Sequence, residues 1–111
     1  GNFPEFLQAL NGKENLTVLD LSFNSFNNTH LVEELLKTIP NIESINLLNN
    51  KLTEGKLLSP VFSTLKKLNF LSLGGNPGFT TEDRLAIWNA TSFLTRSPFP
   101  LDEDLQYLTA Y

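Results

Sequence analysis

Ile42-Glu43-Ser44-Ile45-Asn46-Leu47-Leu48-Asn49-Asn50-Lys51-Leu52 is the stretch on which the fold turns, because it occurs three times. Leu16-Thr17-Val18-Leu19-Asp20-Leu21-Ser22-Phe23-Asn24-Ser25-Phe26 precedes it by 26 residues, and Leu68-Asn69-Phe70-Leu71-Ser72-Leu73-Gly74-Gly75-Asn76 follows it by 26. Each copy reads LxxLxLxxN followed by an apolar residue, which the third copy displaces by one position to Phe79. A fixed internal period of this length marks a chain built from stacked supersecondary units.

Alternation at Leu19/Leu21, Ile45/Leu47 and Leu71/Leu73 places those side chains on one face of a short strand. The intervening residues then face outward. At the strand end, Asn24, Asn50 and Asn76 occupy equivalent positions, where a side-chain amide can pair the backbone of the turn, so they are expected to form a structural Asn ladder. Apolar residues at helical spacing follow in Leu31-Val32-Glu33-Glu34-Leu35-Leu36-Lys37-Thr38-Ile39, and Pro40 closes that helix. Ser59-Pro60 reads as the N-cap and first position of the next helix, with Val61, Phe62 and Leu65 inward. Thr80 with Asp83 reads as the cap of a third helix around 82–93, carrying Leu85, Ile87 or Trp88, and Phe93 inward.

The pattern resembles the leucine-rich repeat superfamily over nearly the whole chain. That resemblance implies an α/β solenoid with a short parallel concave sheet, convex helices and a helical C-terminal cap. The expected organisation is a single domain over 1–111: a partial repeat or N-terminal cap helix at 1–15, repeat cores at 16–41, 42–67 and 68–79, and a cap at 80–111. A fourth copy is due at Leu94. There the letters decay to Leu94-Thr95-Arg96-Ser97-Pro98-Phe99-Pro100, and the two prolines lack ladder donors, so at most an edge strand is expected.

Within the superfamily, the 26-residue spacing, the absence of Cys caps and the phrase from Ile39-Pro40 to Lys51-Leu52 resemble the repeat domain of TAP-type nuclear mRNA export receptors. The ending, with Asn76-Pro77, Arg84-Leu85, Pro98 and Leu101-Asp102, is similar to the cap those receptors share with spliceosomal and acidic nuclear repeat proteins. Pro100 and the spacing after Trp88 depart from that cap. The resemblance implies an intracellular module of the nucleus or cytoplasm, within a chain bearing an RNA-binding domain before it and a transport-factor-like domain after it. The chain lacks Met, and we expect it to be part of something longer. A free-standing cytosolic repeat adaptor or regulator is the alternative.

Composition narrows the functional classes. There is no Cys for a disulfide framework or a thiolate metal site, which favours an intracellular setting. No apolar run reaches the length of a membrane helix, so no membrane partner is expected. The formal net charge of −4 disfavours extensive phosphate contacts. RNA is expected as a partner only together with a neighbouring domain. Asn-x-Thr sequons at Asn15, Asn27 and Asn89 are close to the number chance supplies in so Asn-rich a chain, about two.

Catalytic constellations are missing from the pattern. His30 is the only histidine and lies at a helix start, while Asp20 and Ser22 belong to the strand face. Gly74-Gly75-Asn76-Pro77-Gly78 lacks the Lys and spacing of a phosphate loop, and Asp102-Glu103-Asp104 lacks the spacing of a calcium loop. A non-enzyme with neither cofactor nor metal is expected. Binding is better supported, since parallel strands present outward columns: Val18, Ser44 and Phe70; Asp20, Asn46 and Ser72; Ser22, Leu48 and Gly74. The candidate contact residues for a protein partner on the concave sheet are Val18, Asp20, Ser22, Ser44, Asn46, Leu48, Phe70 and Ser72, with Val18, Leu48 and Phe70 as apolar anchors.

Overall fold

The computed structural model describes residues 15–99. They form an α/β unit in which three short strands, β1 (Val18–Asp20), β2 (Ser44–Asn46) and β3 (Phe70–Ser72), lie parallel in the order β1-β2-β3. Their flanking helices are α1 (Thr29–Lys37), a 3-10 turn at Gly55–Leu57 running into α2 (Ser59–Thr64), and α3 (Thr81–Ala90). The expected 1–15 element and most of the final segment, including Pro100 and Leu101-Asp102, fall outside the described residues.

Strand register carries the 26-residue period into space. Val18 pairs with Ser44 and Ser44 with Phe70; Leu19, Ile45 and Leu71 pair likewise. Each middle residue is buried, whereas its two neighbours lie on the open face of the sheet, away from the core. The core joins those strand residues to Leu35, Leu36, Phe62 and Ile87 from the helices and to Ile39 and Leu58 beside their ends. Full burial of each such side chain contributes about 1.5–3 kcal/mol against the entropy of ordering it.

The strands are too short for sheet bonding alone to hold them, and bonds outside the strands repeat the same period. Leu21 N–H donates to the Asn46 carbonyl at 2.8 Å, Leu47 N–H to Ser72 at 2.9 Å, and Leu73 N–H to Pro98 at 2.8 Å. Ile42 N–H to Ile39, Leu68 to Leu65 and Leu94 to Thr91 form a second series. The segment around Ser97–Phe99 therefore lies along β3 as a fourth rung. Pro98 serves there because proline lacks a donor but keeps its carbonyl. The Phe99 N–H turns to the Ser97 hydroxyl, 3.2 Å away.

Helix starts depart from expectation at one point. Asn28 caps α1 through the Leu31 N–H, and Thr80 caps α3 in a reciprocal capping box with Asp83. Ser59, read as an N-cap, instead lies inside α2, whose cap is Leu58. The preceding 3-10 turn already leads the backbone into helical geometry, so the Ser59 hydroxyl is released to donate to the Lys56 carbonyl at 2.9 Å.

The inward face of α3 also differs. Leu85 and Phe93 are exposed, Ile87 is buried and Trp88 half-buried, and the remaining inward positions belong to Asp83, Arg84 and Thr91. Residues 84, 87, 88 and 91 stand 26 after Leu58, Val61, Phe62 and Leu65. Helical spacing of i, i+3, i+4 and i+7 fixes that face regardless of polarity. Arg84 is accommodated because its guanidinium carbon lies 5.9 Å from the centroid of the Phe99 ring, a cation–π distance. Phe99 in turn meets Phe79 edge-to-face at 6.2 Å.

Candidate binding face and its supporting ladder

The open face of the sheet collects the expected columns. Val18 is 61% exposed and Phe70 39%, with half-buried Ser44 between them in direct register. Adjacent parallel strands are about 4.8 Å apart, which sets the spacing of the column. Leu48, Ser22 and Ser72 are half-buried at its margin, and Gly74 is buried.

The second column is largely committed to its own backbone. Asp20 Oδ1 accepts the Ser22 N–H at 3.0 Å and the Ser22 hydroxyl at 2.7 Å, and Asn46 Oδ1 accepts the Leu48 N–H at 3.1 Å. These are Asx-type contacts that close the strand end. The Ser22 N–H, with help from its hydroxyl, holds the Asp20 carboxyl below the usual aspartate range. The free valence of this face is therefore more apolar than its residue list.

Beneath the face, Asn50 and Asn76 are buried and doubly engaged. Asn50 Oδ1 accepts from the N–H groups of Asn24 and Phe26, both at 3.0 Å, and its amide donates to the Leu21 and Leu47 carbonyls at 2.9 and 3.1 Å. Asn76 repeats the arrangement with the Leu52 N–H and the Leu47 and Leu73 carbonyls. Asn24 bonds the backbone of its turn as expected, but differs from the other two in exposure. Its side chain is exposed and, among the described residues, donates to the Ser22 carbonyl of its own turn. Asn50 and Asn76 each reach a carbonyl in the preceding copy; for Asn24 that copy would come from residues before those described.

One exposed side chain escaped the sequence reading. Phe23 is 70% exposed and has φ +59°. Its counterparts in the next copies are Asn49 at φ +56° and Gly75 at φ +69°. The turn before each ladder position demands a left-handed backbone, which Gly and Asn adopt readily and a bulky side chain resists. Aligning the residue ahead of the ladder Asn across the three copies gives Phe, Asn, Gly, and that series was the available signal.

At the β3 edge the fourth rung borders a shallow cleft of about 200 Å³ between Phe70 and Ser72 on one side and Arg96 to Phe99 on the other. That is below the roughly 300–1,000 Å³ of small-molecule pockets. His30 is exposed in the first turn of α1, with its Nδ1 3.8 Å from Glu33. Among the described residues no cluster of His, Asp or Glu converges as a metal site, and no helix is long and apolar enough to cross a membrane. Comparison with family models, curated proteins and solved structures returned no match.

Proposed function

We propose that the chain is a leucine-rich repeat solenoid segment that acts as a non-catalytic protein-interaction module, with the open sheet face as its contact surface. The supporting observation is the column Val18–Ser44–Phe70: two exposed apolar side chains in register on a scaffold whose polar neighbours are occupied with their own backbone. Aromatic and aliphatic anchors on a rigid surface are what protein interfaces use for affinity. The recurring hydrogen bonds from Leu21, Leu47 and Leu73 support the solenoid reading. The resemblance of Ile39–Leu52 to export-receptor repeats supports a setting in nuclear mRNA export or RNA processing, with protein adaptors rather than RNA as the direct contact.

A photo-crosslinking amino acid placed at Phe70, and separately at exposed Ser63 on α2, tests this. Crosslinks from position 70 to nuclear RNA-binding proteins, with none from position 63, are the expected result. Equal capture at both positions removes the sheet face, and partners unrelated to RNA leave the free-standing adaptor as the better setting.

A further inference from the structure

The fourth rung adds a wall to the open face at the β3 edge, and this changes its chemistry. Leu73 N–H bonds the Pro98 carbonyl as Leu47 N–H bonds that of Ser72. Pro98 thus stands beside Ser72, and Arg96, two residues earlier, stands beside Phe70. Both Phe70 and Arg96 line the cleft of about 200 Å³ at this edge. The column Val18, Ser44, Phe70 accordingly ends at a cleft whose lining also includes the cationic Arg96.

Arg96 is exposed, and among the described residues no carboxylate lies within ion-pairing distance of it. Among the outward strand positions described, the one acid, Asp20, is on the far strand and is tied to Ser22, while exposed Glu43 precedes β2 and its carbonyl accepts the Phe70 N–H. A ligand seated in the cleft therefore meets a cation and an aromatic ring, and no acid is among the cleft's lining residues. A cleft of this volume suits one side chain rather than a cofactor. A planar guanidinium at its rim is suited to bidentate pairing with a carboxylate.

We propose that this edge binds an acidic peptide segment of a protein partner, with one apolar side chain seated against Phe70 and an adjacent carboxylate on Arg96. This rests on the sheet face being the contact surface and adds the charge of what it contacts.

The test is a titration of the full chain, followed by amide chemical shifts, with acetyl-Phe-Asp-Asp-amide and with its neutral counterpart acetyl-Phe-Asn-Asn-amide. The acidic probe is expected to move the signals of Phe70, Ser72 and Arg96, to bind about tenfold more weakly to Arg96→Gln, and to exceed the neutral probe by a similar factor. Added salt is expected to narrow that gap. Equal binding of both probes overturns the acidic partner while leaving the sheet face as a contact surface. Shifts absent from Phe70 and Arg96 with both probes overturn the site. Binding that emerges only when Asp102→Asn, Glu103→Gln and Asp104→Asn are combined makes this chain's own acidic tail the occupant and overturns a partner peptide.

Discussion

The Asn50 side-chain amide donates to the Leu21 carbonyl, 2.9 Å away and 29 residues earlier, and Asn76 stands in the same relation to Leu47 at 3.0 Å. One residue type at one position thus ties the second and third copies to their predecessors. The same side chain accepts two backbone N–H groups through Oδ1 at Asn50. Leucine there would strand donors and acceptors that burial has removed from water, at about 1–3 kcal/mol each. Asn50→Leu is expected to cost about 3 kcal/mol or more in chemical denaturation. Asn24→Leu, at an exposed side chain bonded to its own turn, is expected to cost under about 1 kcal/mol. Equal losses at both positions would show that the ladder is not what separates them.

The left-handed turn position gives opposite signs in two copies. Phe23 stands at φ +59° with its ring mostly in solvent, so Phe23→Asn relieves backbone strain and gives up little packing. A gain of about 0.5–1 kcal/mol is expected. Gly75 is at φ +69°, and an added Cβ would lie 1.7 Å from Asn49 Oδ1 and 3.1 Å from the Asn49 Cα. Gly75→Ala is expected to lose about 1–2 kcal/mol or more. Paired melting curves would refute the strain argument if Phe23→Asn lowered the midpoint.

Gly55 lets α3 approach the 3-10 turn closely. A Cβ there would meet Ile87 Cδ1 at 2.8 Å and Asp83 Cβ at 3.0 Å, and both belong to packed, buried residues. Gly55→Ala is expected to cost about 1–3 kcal/mol through overpacking. An unchanged unfolding midpoint would mean that α3 shifts freely against the turn.

Asp83 links stability to pH. Burial pushes its carboxyl up, but N–H groups of Thr80, Lys56 and Gly55 and the Thr80 hydroxyl outweigh burial and hold it below the ordinary aspartate range. A carboxyl depressed in the folded state contributes stability that is fully present above its unfolded pKa, about 3.9, and is lost as pH falls through the lower folded value. Denaturation of the wild type below about pH 4 should therefore show a steeper acid loss than Asp83→Asn. Parallel acid profiles would remove Asp83 from the linkage. The Lys56–Glu82 pair beside it, 2.6 Å apart and exposed, adds little at ordinary salt.

Much of this architecture is visible in the letters because every copy repeats them. The parallel register of Val18, Ser44 and Phe70 follows from the period, as do the buried roles of Leu19, Ile45 and Leu71. Around α3 the expectation holds for Ile87 and Trp88 and fails for Leu85 and Phe93, which hydrophobicity singles out whereas the period points to Arg84 and Thr91. Ser59 was misplaced because the 3-10 turn ahead of it leaves no apolar pattern. The left-handed turn at Phe23 shows only in the series Phe23, Asn49, Gly75 across the copies, not in any single letter.

By itself the sequence determined the repeat, the strand faces and the positions of the ladder, since alternation and a constant period leave each side chain one side to face. Only the tertiary structure decided that Asn50 and Asn76 are buried, each with its amide engaged by the copy before it. It alone also placed Arg96 beside Phe70. The fourth rung keeps only fragments of the motif, and its alignment rests on a single carbonyl, that of Pro98, which the proline ring leaves free to accept the Leu73 N–H.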